Sequence, residues 1–161
     1  MEFKRILIGI DDSKYAENAA QYGFELAHKF KASVGLVHIV EPIPATPIND
    51  TSMMGTFIPS LSTSIDDIEM VNVQEQYSHK LLDSTIERYG EGLDVSQYNE
   101  FGATADSIIN CAAQFGADLI VIGTHSRTGF DRFLMGSIAE DVVRHSPVAV
   151  LVIPMKEEEK A

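Results

Sequence analysis

Short, continuous, β-branched apolar runs recur along this chain, and each is followed by a stretch with helical spacing. Arg5-Ile6-Leu7-Ile8-Gly9-Ile10, Ser33 to Val40, Asp118-Leu119-Ile120-Val121-Ile122 and Val148 to Ile153 carry almost no polar interruption. A strand with one wet face alternates apolar and polar residues, so unbroken runs of this length read as strands covered on both faces. A weaker run, Asp94 to Phe101, alternates enough to be half exposed and suits a sheet edge. Strand and helix in strict alternation imply a parallel sheet with right-handed crossovers and helices on both faces. Residue count sets the scale: 161 residues, 45% of them hydrophobic, suit one domain with a real core.

The helical stretches can be placed by their apolar faces and their ends. The first shows Ala16, Ala19, Ala20, Gly23, Phe24 and Ala27 on one face. Small residues there predict close packing on the sheet, with Ser13 or Asp12 as the N-cap. The second, Ile65 to Tyr89, turns Leu82, Ile86 and Tyr89 inward and is stopped by Gly90 and Gly92. A third follows Gly102-Ala103-Thr104, buries Ile108, Ala112 and Phe115, and ends at Gly116. A fourth covers Ile138 to Ser146 and is closed by Pro147. Residues 41–64 carry Pro42, Pro44, Pro47 and Pro59 with many Ser and Thr, and are expected to form a long flexible loop. The domain is placed at 1–155, with 156–161 as a charged tail.

Charge and single residues narrow the function. Twelve basic against twenty-four acidic residues give a net charge of −12, which repels nucleic acid and anionic membranes. No apolar run reaches the ~18 residues of a membrane span, so a cytoplasmic setting is expected. One cysteine excludes an internal disulfide, and Cys111, at helical spacing with Ile108 and Phe115, reads as a buried small residue. His38 lies inside an apolar strand and reads as a hydrogen-bonded core residue. His28, His79 and His145 read as surface residues, and no histidine pair has metal-ligand spacing.

The stretch Gly123-Thr124-His125-Ser126-Arg127-Thr128-Gly129-Phe130-Asp131-Arg132-Phe133-Leu134-Met135-Gly136-Ser137 lies between a buried strand and a helix start. A glycine at the strand's end admits close backbone approach, and Gly136-Ser137 sets N–H groups and a hydroxyl at a helix N-terminus, the recipe for gripping phosphate. Gly123, Gly136 and Ser137 stand at the spacing of G-x2-G-x9-G-[S/T], and on this the chain resembles the universal stress proteins of nucleotide-binding type. Ser126 takes the place of the middle glycine.

That resemblance covers nearly the whole chain. It implies a Rossmann-like open five-stranded parallel sheet of order 3-2-1-4-5, which brings Asp11 beside Gly123. It implies that Asp11 lies by the nucleoside, that Ile39 offers backbone atoms to adenine, and that Gly102-Ala103 borders the ribose. Gly123, Ser126, Arg127, Gly136 and Ser137 would line the phosphates of ATP or another adenine nucleotide, with Mg²⁺ offsetting their charge. Blander roles exist for several of these: Asp11 or Ser137 as a cap, Gly102 as a turn, Arg127 as part of a solvated loop. The family also dimerises, and the uncharged C-terminal strand at a sheet edge suits a homodimer formed through it. A regulatory or stress-response role with at most slow hydrolysis follows, and no catalytic residue is assigned. The alternative is a dimeric stress protein whose degenerate site binds no nucleotide and acts through protein contacts.

Other nucleotide and signalling classes lack their residues here. A P-loop protein needs Gly-Lys-[Ser/Thr], and a dinucleotide oxidoreductase needs G-x-G-x-x-G after a strand. A phosphorylatable receiver resembles this chain in Asp11-Asp12, yet it needs an acceptor Asp after the third strand. Asn99-Glu100-Phe101 stands there, and the nearest lysine to the fifth strand, Lys156, lies beyond Pro154.

Overall fold

β1 (Arg5–Ile10) is the sheet's central strand, and its sequence shows why: five consecutive residues after Arg5 are buried. It pairs in parallel with β2 (Ser33–Val40) on one side and with β4 (Leu119–Gly123) on the other. β3 (Val95–Phe101) pairs with β2 and β5 (Ala149–Ile153) with β4, both in parallel, so the order is β3-β2-β1-β4-β5, as the resemblance implies. This is a computed structural model that describes residues 2–41, 65–124 and 135–154. The expected loop of 41–64 beyond Glu41, and the tail, lie outside the described residues.

Alternate residues of each strand feed two apolar layers. Ile6, Ile8, Ile10, Leu36 and Val121 pack on one face beneath α1 (Lys14–Phe30) and α2 (Ile65–Tyr89). Leu7, Val37, Ile120 and Ile122 pack on the other beneath α3 (Thr104–Phe115) and α4 (Ser137–His145). Helices on both faces are what a continuous apolar strand requires.

α1 buries the small-residue face read from the sequence. At Gly23 an added Cβ would stand 2.6 Å from Ile8 Cδ1, so the helix sits closer to the sheet than a methyl group permits. Ser13 caps it, its Oγ accepting from the Ala16 N–H at 3.2 Å. Lys31 ends it in the left-handed region, at φ 55°. α2 behaves as two halves. Its second half packs through Leu82, which is fully buried, and through Tyr89, which stacks on Phe24 at 6.0 Å. Its first half leaves Met70, Val71, Val73 and Tyr77 exposed.

Element ends differ from the sequence reading by a residue where a side chain takes over the backbone's bonding. Asp118 precedes β4 because its carboxylate accepts from the Lys4 N–H at 2.8 Å, tying the turn to the start of β1. Val148 precedes β5 because the Ser146 hydroxyl accepts from its N–H and donates to its carbonyl.

Candidate nucleotide cleft

β1 and β4 are neighbours, yet the helix after β1 leaves to one face and the helix after β4 to the other. Neighbouring strands with divergent exits open a crevice at their carboxyl ends, where ligands of open α/β sheets bind. A cleft of about 800 Å³ lies there, a size suited to a small organic ligand. Its floor is the strand ends, including Ile10, Asp11, His38, Ile39, Gly123 and Thr124. One wall is the exposed half of α2, through Val73, Gln74 and Tyr77, and the other is formed by Thr104, Ile108 and residues 136–139.

The α4 end is built from backbone. Gly136 is the N-cap of α4, in extended conformation at φ −73° and ψ 159°, and as a glycine it brings no capping side chain of its own. Its N–H donates to the Thr124 carbonyl at 2.5 Å, while the Thr124 N–H donates to the Ile153 carbonyl at 3.1 Å. The strand exit and the helix entry are thereby stapled together and to β5. Ser137 is the first helical residue and is exposed, so it is not the cap that the blander reading allowed. The first N–H groups of a helix have no carbonyl one turn back, and together with the helix dipole they favour an anion.

Gly123 lines the cleft, and its lack of a side chain has a packing cause besides the ligand approach expected. A Cβ there would stand 2.8 Å from both the carbonyl carbon and the oxygen of Tyr15. The first turn of α1 crosses the end of β4, and only glycine leaves it room. Asp11 is half buried at the cleft, and its Oδ1 accepts from the Ser13 N–H at 2.7 Å. It shapes the turn that leads into α1, whose cap is Ser13. Ile39 is half buried at the cleft's floor. Gly102 does not line the cleft; it adopts φ 144°, a conformation open to glycine, and its N–H donates to the Val40 carbonyl at 3.2 Å. Its neighbour Thr104 does line the cleft. Ser126, Arg127 and His125 lie outside the described residues.

The far end is built from side chains. His38 Nδ1 lies 2.7 Å from the hydroxyl of Ser78, which is fully buried on α2. Ser78 donates its one proton to Asn99 Oδ1 at 2.6 Å, so in this arrangement His38 donates from Nδ1. Asn99 stands beside His38 in register on the adjacent strand, and Ser78 bridges them from above. His38 is therefore hydrogen-bonded, as the sequence suggests, but it also faces the cleft. Tyr77 meets His38 edge to face at 6.5 Å, and its hydroxyl donates to Asp12 Oδ2 at 3.1 Å. Thr104 Oγ1 donates to Glu41 Oε1 across the rim.

The sequence reading missed this α2 wall. A signal was present, since Met70, Val73 and Tyr77 continue a helical apolar stripe upstream of the packed half. Cys111 is buried beside Glu100, and burial first, then that carboxylate, pushes its thiol up to about 11. It is a protonated packing group at neutral pH.

A parallel doubly wound sheet with a cleft at its switch point defines the class of open, Rossmann-like α/β domains. The family within that class is shown by sequence: the model of the universal stress protein family matches residues 2–154, and the chain belongs to that family. A universal stress protein of Methanocaldococcus jannaschii is 29% identical over 157 residues, covering 96% of this chain and 85% of its own. The fold is shared with universal stress protein UspA from Lactobacillus plantarum, at a TM-score of 0.75 and 21% identity, over 95% of this chain and 99% of that one. It is shared also with a universal stress protein from Archaeoglobus fulgidus solved in complex with dAMP, at a TM-score of 0.60 and 22% identity, over 95% of this chain and 99% of that one. Among the described residues no helix is long and apolar enough to cross a membrane.

Proposed function

We propose that the cleft binds an adenine nucleotide, ATP in the first instance, with its phosphates at the N-terminus of α4 and its nucleoside toward β2 and α2. The observation that carries this reading is an α4 N-terminus, with glycine as its N-cap, opening into a cleft of nucleotide size. Glu41, at the end of β2 and separated from β4 by β1, and Asp12, bonded to Tyr77 of α2, lie away from that helix start and repel phosphate, which favours one orientation. The dAMP held by the Archaeoglobus fulgidus relative supports an adenine nucleotide as the ligand class.

Mg²⁺ fits this reading as a companion of the ligand. Among the described residues no group of three or more His, Cys, Asp or Glu could hold a metal ion. Phosphate oxygens and water would supply its ligands, as Mg²⁺ commonly requires. Its charge would offset that of the triphosphate in a protein of net charge −12.

Binding with at most slow hydrolysis suits these residues. Among the described ionisable cleft residues, Asp12, His38, Glu41 and Tyr77 lie on the β2 and α2 side, away from a γ-phosphate in this orientation, and Asp11 is engaged by the Ser13 N–H. A regulatory, cytoplasmic stress-response role follows, without nucleic acid or membrane as partner. Isothermal titration of the protein with ATP and Mg²⁺ at millimolar nucleotide tests it: heat and a thermal shift are expected. Their absence would leave the dimeric protein acting through protein contacts alone.

A homodimer through β5 belongs to the same proposal. Val150, Leu151 and Val152 remain half buried in the single chain and Ala149 is exposed, on an edge strand with no charge or proline of its own. Sedimentation at micromolar concentration should give a dimer that Val150→Lys dissociates, and a monomeric wild type would remove the idea.

A further inference from the structure

We infer that Glu41, held by Thr104, reads the ribose hydroxyls of the bound nucleotide and makes the cleft select an unsubstituted ribose. This rests on the nucleotide reading above and adds to it the residue that recognises the sugar. Glu41 directly follows β2 and lines the cleft at the strand's carboxyl end. Thr104, the first residue of α3, lines it too, and its hydroxyl donates to Glu41 Oε1. One carboxylate oxygen is thus tied to the opposite side of the rim. A carboxylate only accepts, so a ligand atom recognised by Glu41 must be a donor.

The cleft's polarity decides which part of the ligand that is. The α4 N-terminus draws the phosphates, while Glu41 follows β2, which β1 separates from β4. A nucleotide lying between them turns its neutral, donor-bearing portion to Glu41. The ribose diol supplies two hydroxyl donors, and a carboxylate has two oxygens to take them. Doubly wound folds of this strand order often place an acid at the end of the second strand, where it accepts from a ribose hydroxyl. Glu41 occupies that topological place without the glycine fingerprint that usually accompanies it. The same charge would reject a ribose carrying a 2′- or 3′-phosphate.

Titration calorimetry with ATP and 2′,3′-dideoxy-ATP, each with Mg²⁺, tests the assignment on the wild type, Glu41→Ala, Glu41→Gln and Thr104→Val. The wild type should prefer ATP about tenfold or more, the scale of a hydrogen bond to a charged group. Glu41→Ala should shrink that ratio to within about twofold without weakening dideoxy-ATP. Glu41→Gln, which keeps an acceptor without the charge, and Thr104→Val, which frees the carboxylate, should each retain part of the ratio. Glu41 is exposed, so these variants should fold, and circular dichroism checks it. An undiminished ratio in Glu41→Ala would overturn the inference, as would equal tightening of both ligands, the mark of a charge that only repels phosphate. Inosine triphosphate separates a further outcome: if Glu41→Ala erases a preference for ATP over it but keeps the ribose ratio, the base amino group is the target and the sugar role falls. A wild type that binds both ATP forms equally removes only Glu41's role, whereas one that binds neither removes the nucleotide reading as well.

Discussion

The two ends of the cleft are made of different materials. At the α4 end the groups that matter are main-chain ones: the Gly136 cap, the Thr124 carbonyl that accepts from it, and the first turn of the helix. At the far end they are side chains joined across the fold, His38 with Ser78 and Asn99, Tyr77 with Asp12, Thr104 with Glu41. A backbone grip depends on where the chain can run, so its determinants are glycines and close packing. A side-chain grip depends on satisfied partners, and each member can be removed without moving the chain. The first end should therefore fail through the scaffold and the second through single hydrogen bonds.

The largest effect is expected at Gly123. A methyl there meets the Tyr15 backbone at 2.8 Å, and main-chain atoms cannot swing aside as a flexible side chain would. Gly123→Ala should cost up to about 3 kcal/mol of stability, read from urea unfolding, because α1's first turn must shift. A cost below about 0.5 kcal/mol would show that the approach is not tight and that the glycine serves the ligand instead.

A smaller loss is expected at the other end. Ser78→Ala removes the buried hydroxyl that both His38 and Asn99 use where α2 packs on the sheet. Unsatisfied buried polar groups cost about 1–3 kcal/mol, and the fold should survive. Nitrogen-15 spectra of the histidines should then show His38 losing its fixed Nδ1–H form. An unchanged spectrum would mean that Ser78 does not set the tautomer, and the contrast between the two ends would weaken.

The same difference explains what the sequence disclosed. β1 and β2 run over the residues expected, as does α2, because strands covered on both faces carry unbroken apolar runs and α2 ends against Gly90 and Gly92. Gly136-Ser137 at a helix start was legible because helix N-termini leave local marks. The cause of Gly123 was not, since Tyr15 is more than one hundred positions away in sequence. Nor were the side-chain links: Tyr77 reaches Asp12 across 65 positions, and Thr104 reaches Glu41 across 63. No local periodicity encodes a pair of that kind. Val73 and Tyr77 are exposed, and an apolar stripe at helical spacing signals burial rather than a cleft wall.

Phosphate bound by this cleft should meet the start of α4, and amide chemical-shift mapping sees that contact directly. With backbone resonances assigned, the protein is titrated with ATP and Mg²⁺ and, separately, with adenosine. Large shifts at the Gly136, Ser137, Ile138 and Ala139 amides with ATP, absent with adenosine, together with shifts near Ile39 with both ligands, are the expected result. ATP that binds while those four amides stay unmoved would contradict it.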